Sequence, residues 1–263
     1  MPAEPFRLLI LGGTTEAARL AAAAQERWPH DRLAVITSHA GRIAPLHPPP
    51  GALRVGGFGG AAGLAAYLRD EAIDALIDAT HPFAAVISHN AAEACRQSGV
   101  ARMMLIRPAW QPDPSDRWTE VADMAAAAAA LRQESRRVFL TTGPGALPAF
   151  RDLTNIWFLV RLFQPPTGAL PIPAHTVVVT RPPFTVESES ALLRQHRIDT
   201  LVSKNSGGPT EAKLAAARAA RIRVVMVARP AAPVGGRVAT VAEALDWIEA
   251  RVQEAGSARG RKT

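Results

Sequence analysis

A chain of 263 residues with a single cysteine, Cys95, can hold no internal disulfide and no cysteine-cluster metal site. Cys95 falls in a helical pattern with Val86, Ile87, Ala91 and Ala94, where a free thiol ordinarily serves as a small buried filler. The seven histidines include no H-E-x-x-H or comparable pairing, so no metal site is expected. No apolar run approaches the roughly 18 residues that would span a bilayer. The opening Met1-Pro2-Ala3-Glu4-Pro5 lacks the form of a signal peptide, because the apolar segment after Arg7 is short and runs into glycines. The expected setting is the cytoplasm, with no membrane partner. No strand is rich in the aromatic residues that stack bases, and the one compact basic run is Arg259-Gly260-Arg261-Lys262.

What is present is an ordinary globular composition, 48% hydrophobic and 20% charged. At about 150 residues per domain the length suggests two compact domains. The net charge of +7, with 30 Lys and Arg spread along the chain, suits a small polyanionic ligand. Nucleic acid is the alternative; it is not the expected partner.

Leu8-Leu9-Ile10-Leu11 is a continuous apolar run of strand length, as in a parallel strand covered on both faces. Ala17, Leu20, Ala21 and Ala24 recur at helical spacing soon after. The turn joining them is Gly12-Gly13-Thr14-Thr15-Glu16. Glycine lets a ligand approach the backbone, and the free amides and positive dipole end of the helix favour an anion there. The threonine hydroxyls can cap the helix or bond a phosphate. The full G-x-G-x-x-G fingerprint is absent, so a plain strand-helix turn is the alternative to a phosphate cradle.

The next strand, Leu33 to Ser38, ends where a dinucleotide-binding unit meets the adenosine ribose. It offers no acidic residue for a 2′-hydroxyl, whereas Ser38 and Arg42 suit a 2′-phosphate; NADPH is therefore preferred over NADH, with an ordinary surface arginine as the alternative. Arg54-Val55-Gly56-Gly57-Phe58 reads as a short strand ending in a glycine pair, before a helix bearing Ala61, Leu64, Ala65 and Leu68. Ala75 to Thr80 is a strand whose end, Thr80-His81-Pro82-Phe83, lies where ligands of open parallel sheets bind. Ser88 and Asn90 follow on a helix. Met103 to Ile106 ends in Arg107-Pro108, leaving Arg107 as a candidate anion contact. Residues 111–117 read as a connection and Val121 to Arg132 as an alanine helix.

Arg137 to Gly143 repeats the opening pattern, with an apolar strand, Thr141-Thr142-Gly143 at the turn, and a short helix from Ala146 to Phe150 that Pro144 can start. Trp157 to Phe163 is a strand carrying Arg161. Val177 to Thr180 is another, ahead of a helix from Val186 to His196. Asp199 to Val202 runs into Ser203-Lys204-Asn205-Ser206-Gly207-Gly208, where a cation, an amide, two hydroxyls and paired glycines can hold several carboxylates. Val224 to Val227 reads as the last strand, and Val241, Ala244, Leu245, Ile248 and Val252 line a closing helix. The alternation defines an α/β protein of two Rossmann-like domains with parallel sheets flanked by helices. The expected division is 1–135 for the nucleotide and 136–253 for the substrate, with 254–263 a disordered basic tail.

In these motifs and in their order the sequence resembles the precorrin-6A reductases of cobalamin biosynthesis, called CobK in the aerobic and CbiJ in the anaerobic pathway. Ile10 to Ala17, Asp78 to Phe83, the Ser88 to Asn90 segment, Arg107 to Trp110, Thr141 to Gly143 and Ser203 to Gly208 carry the likeness, which spans nearly the whole chain. The resemblance implies an enzyme that uses NADPH to reduce one carbon–carbon double bond of the precorrin-6A macrocycle, giving precorrin-6B. It implies that Gly12, Gly13, Thr14, Thr15, Glu16, Ser38, Arg42, Gly56, Thr80, His81, Pro82 and Phe83 serve the cofactor. Ser88, Asn90, Arg107, Thr142, Gly143, Arg161, Ser203, Lys204, Asn205, Ser206, Gly207 and Gly208 would face the substrate's carboxylates. Lys204 or His81 is the side chain to supply a proton, unless the macrocycle's nitrogens or water do so. A monomer is expected. Two other classes remain: a non-catalytic NADP(H) sensor, which has no use for the Ser203 to Gly208 loop, and a cofactor-free tetrapyrrole enzyme of the uroporphyrinogen III synthase type.

Overall fold

The structure, a computed structural model, describes residues 4–40 and 50–259. Its first strand, β1 (Phe6–Leu11), is buried on both faces, as its unbroken apolar run requires. Leu8 and Ile10 pack into one cluster and Leu9 and Leu11 into another, the alternation expected of a strand. Next come α1 (Thr15–Arg27), β2 (Leu33–His39), β3 (Ala52–Val55), α2 (Gly60–Asp70), β4 (Ala75–Asp78), α3 (Ala85–Ser98) and β5 (Ala101–Leu105). The chain then forms β6 (Trp118–Val121), α4 (Met124–Leu131), β7 (Arg137–Leu140), a 3-10 segment at Pro144–Phe150, β8 (Trp157–Leu162) and β9 (His175–Val179). It closes with α5 (Val186–Gln195), β10 (Thr200–Lys204), α6 (Ala212–Ala219), β11 (Arg223–Val227), β12 (Gly236–Val238) and α7 (Val241–Arg259).

These elements build two wholly parallel six-stranded sheets, one in each of two units. The first unit comprises Met1–Arg107 and Ala231–Thr263, and the second Pro108–Pro230. In the first, the order is β3-β2-β1-β4-β5-β12, which is the 3-2-1-4-5-6 order of doubly wound dinucleotide-binding sheets. Residues of α1 and α7 cover one face of this sheet, and those of α2 and α3 the other. The second sheet runs β9-β8-β7-β10-β11-β6 and repeats the same order for its first five strands. The order reverses direction between β1 and β4 in one sheet and between β7 and β10 in the other. Crevices at the carboxyl ends of such strand pairs are where open α/β sheets bind ligands.

Four expectations are corrected here. The division falls after Arg107 and not after Ser135, because β6 pairs with β11, with Val224 opposite Trp118. Val227 does not end the last strand, because β12 adds to the edge of β5, with Gly236 opposite Met103. The sixth strand of each sheet therefore forms only after the chain has crossed from the other unit. The short helix after Gly143 is 3-10, with Pro148 inside it denying an α-helical bond. Residues 254–259 belong to α7 and are not part of a disordered tail, whereas 260–263 lie outside the described residues. Among the described residues no helix is long and apolar enough to cross a membrane.

Candidate active site

In the first unit the Gly12 to Glu16 turn leaves β1 at the reversal point of the sheet. Gly12 N–H donates to Ser38 O at 2.8 Å, tying the turn to the end of β2. A side chain at Gly12 would come within 3.0 Å of Thr37 Cγ2 and 3.2 Å of His39 Nε2, a tight fit that those side chains would have to shift to relieve. Gly13 has φ 103°, in the region that favours glycine. Thr14 is the N-cap of α1. Its Oγ1 accepts from Ala17 N–H at 3.1 Å and donates to Ala79 O at 2.7 Å, which fastens the turn to the end of β4. That occupies the hydroxyl, so of the two roles open to Thr14 the geometry favours the cap. Ala17 and Ala18 amides are satisfied by Thr14, while no acceptor among the described residues meets the amides of Thr15 and Glu16. The Glu16 carboxylate is held by Arg107 at 2.7 Å, with both side chains mostly buried.

At the end of β2, Ser38 is buried and lies 3.3 Å from Arg54 Nη1. Burial pushes the pKa of the adjacent His39 down, which favours its neutral form. Gly56, at φ 120°, donates its N–H to His39 O and gives its carbonyl to Arg54. Arg42 lies outside the described residues.

The buried Asp78 at the end of β4 shapes the next loop. Its Oδ1 accepts from both Thr80 N–H and Thr80 Oγ1, at 3.1 and 2.6 Å. Ser88 Oγ on α3 stands 3.3 Å from Thr80 Oγ1. Asn90, two residues further along the helix, faces a different direction from Ser88. Between these anchors, His81 Nδ1 accepts from Phe83 N–H at 3.2 Å, which leaves Nε2 as the ring nitrogen that can carry a proton. Pro82 follows His81, and the rings of His81 and Phe83 lie 5.9 Å apart.

In the second unit, Thr141, Thr142 and Gly143 follow β7, and Lys204 ends β10. Thr141 Oγ1 donates to Val202 O at 3.0 Å. Thr142 is buried, and its hydroxyl has no partner among the described residues. Gly143 opens the 3-10 segment at φ 81°. Burial pushes the Lys204 ammonium below its ordinary pKa.

Three of the side chains expected at the substrate already bond within the protein. Arg161 is buried, donates to Glu189 at 2.7 and 3.1 Å, and lies over Phe139 and Phe184. Glu189 neutralises its guanidinium inside the protein. Asn205 grips the backbone of Trp110, accepting from its N–H at 2.9 Å and donating to its carbonyl at 3.1 Å. Ser203 is 1% exposed, and its hydroxyl turns onto Lys204 O. Arg229 completes the loop by donating to Asn205 O, Ser206 O and Pro108 O. The Trp110 indole N–H donates to Gly208 O. Any side chain at Gly207 would strike Pro108 O at 2.0 Å. Ser206 is buried and its hydroxyl donates to Gly207 O at 3.4 Å, so the loop from Ser203 to Gly208 is held largely by its own bonds.

Sequence reasoning missed the roles of Arg54, Trp110 and Arg229. The first was read only as part of a short strand. Arg-Pro dipeptides at 107–108 and 229–230, beside the two crossings of the chain, were the available signal.

Two doubly wound parallel sheets, each with a threonine- and glycine-bearing turn at its reversal point, define a two-unit α/β protein. The family model for the precorrin-6x reductases CbiJ/CobK matches residues 7–249. The chain belongs to this family. It is 48% identical over 244 residues to the precorrin-6A reductase of Rhodococcus erythropolis, covering 92% of this chain and 97% of that one. It is 45% identical over 243 residues to the precorrin-6A reductase of Rhodobacter capsulatus, covering 92% and 95% of the two chains. A solved CobK precorrin-6A reductase superposes with a TM-score of 0.86 at 45% identity, over 94% of this chain and 97% of that chain. These likenesses give no support to the sensor or to the synthase-type reading.

Proposed function

We propose that this protein reduces a carbon–carbon double bond of precorrin-6A with NADPH, giving precorrin-6B. The observation that carries the reading is the Gly12 to Glu16 turn with its two open amides at the reversal point of a 3-2-1-4-5-6 sheet, in a chain whose relatives are named precorrin-6A reductases.

The residues of the first unit fit a dinucleotide. Gly12 and Gly13 put no side chain between backbone and ligand, and the amides of Thr15 and Glu16 offer donors to a pyrophosphate. Arg107 cancels the charge of Glu16, which would otherwise repel that anion. Ser38 and Gly56 stand at the ribose end, and Thr80, His81, Pro82 and Phe83 at the nicotinamide end. When bound, NADPH supplies the hydride. The protein's own share of the chemistry is positioning and the proton. His81 presents an imidazole whose Nδ1 accepts from Phe83 N–H, and Lys204 presents an ammonium whose proton burial makes easier to release. Lys204, Ser206, Thr142 and Gly143 line the reversal point of the second sheet and suit a substrate ringed with acetate and propionate groups.

Titrating the protein with NADPH and NADH while following nucleotide fluorescence tests the cofactor assignment. Saturable binding with NADPH ahead of NADH is expected; no binding of either would remove the reading.

A further inference from the structure

Arg54 is held differently from the ion-paired arginines of the first unit. Arg7 pairs with Glu71, Arg27 with Asp246 and Glu249, and Arg107 with Glu16. Among the described residues no carboxylate pairs with Arg54. Its guanidinium is nevertheless fixed in place. The guanidinium carbon sits 3.7 Å from the ring centroid of Phe58 and 5.1 Å from that of Tyr67, whose own rings meet edge to face at 5.2 Å. Nη1 donates to Gly56 O at 2.6 Å, and Nη2 to Gly57 O at 2.9 Å. With the contact to Ser38 Oγ, these leave Nε–H and one hydrogen of Nη2 without a partner among the described residues. An arginine held on an aromatic shelf, with its charge uncompensated and donors to spare, is built to receive an oxyanion.

Its position says which oxyanion. Arg54 of β3 is in register with Ser38 of β2, and Ser38 O holds the amide of Gly12. The ring of His39 lies against Gly12. In a sheet of this order the adenosine ribose rests over the end of the second strand. That strand end carries Ser38 and His39, with no carboxylate to accept a ribose 2′-hydroxyl. Resting on the NADPH reading above, we propose that Arg54, on the Phe58–Tyr67 shelf and beside Ser38, is the residue that selects a 2′-phosphorylated adenine nucleotide over its unphosphorylated counterpart.

Calorimetric titration of the full chain with adenosine 2′,5′-bisphosphate and with adenosine 5′-monophosphate tests this. Wild-type protein should prefer the bisphosphate, and Arg54→Met should lose roughly 10- to 100-fold in affinity for it, the range of one or two charge-assisted hydrogen bonds. Binding of the monophosphate should not change, so the preference collapses toward unity. Phe58→Ala, which removes the shelf and keeps the cation, should lower the preference in the same direction and serves if Arg54→Met fails to fold. A preference that survives both substitutions overturns the assignment alone. Wild-type protein that binds neither nucleotide overturns the cofactor reading and this assignment with it. Wild-type protein that binds both equally overturns the selection by Arg54 while leaving the dinucleotide reading intact.

Discussion

Arg107 Nη1 lies 2.7 Å from Glu16 Oε2, joining the end of the fifth strand to the first turn of the helix at the proposed pyrophosphate cradle. One residue had been assigned to the substrate and the other to the cofactor; they form a single unit. Arg107→Met leaves a carboxylate uncompensated beside the cradle, so NADPH affinity should fall, by roughly 5- to 30-fold for an interaction of about 1–2 kcal/mol. Glu16→Gln in the same protein should restore part of it. Equal affinities in the single and double variants, measured by the same titration, would show that charge cancellation is not the role of the pair.

Lys204 carries the sharpest pH expectation. Burial lowers its folded pKa below 10.5. If its ammonium gives the proton, kcat falls as pH rises through that lowered pKa, so the alkaline limb of the profile begins below 10.5. Lys204→Met should abolish turnover and leave NADPH binding intact. Unchanged turnover removes it from the mechanism. Stability moves the other way: folding disfavours the proton, so the penalty is fully present below the folded pKa and is relieved as pH rises toward 10.5. Denaturant midpoints of Lys204→Met should lack that slope.

Arg161 and Glu189 form a buried pair, 6% and 1% exposed. Removing one partner should destabilise the protein by about 3–5 kcal/mol, and replacing both with apolar residues should restore much of the loss. Chemical denaturation measures this directly. If Arg161→Met were as stable as the wild type but raised KM, the guanidinium would belong to substrate binding after all.

How much of this was legible depended on where each signal resides. The apolar run at Leu8 to Leu11 has one solution, a central parallel strand, and its turn to α1 is equally local, so both could be read directly from the chain. β6 and β12 could not, because Trp118–Val121 and Gly236–Val238 have no apolar run and become strands only by pairing with β11 and β5. Arg161 and Asn205 looked like ligand contacts because their type suits carboxylates. Their partners, Glu189 and the Trp110 backbone, are 28 and 95 residues away. Residue type announces a donor. Only the fold decides what it meets.

Cys95 is buried, and its thiol pKa is pushed up to about 11. A thiol reagent at neutral pH should leave it unmodified in the native protein and modify it fully in denaturant. Rapid modification of the folded chain would contradict its placement as a core filler.

The most direct test of the central claim is to mix the purified protein with precorrin-6A and NADPH and follow the near-ultraviolet absorbance of the nucleotide. The predicted result is catalytic loss of that absorbance, one NADPH oxidised for each precorrin-6A reduced, with precorrin-6B as the product. Tight binding of both compounds without nucleotide oxidation would contradict it.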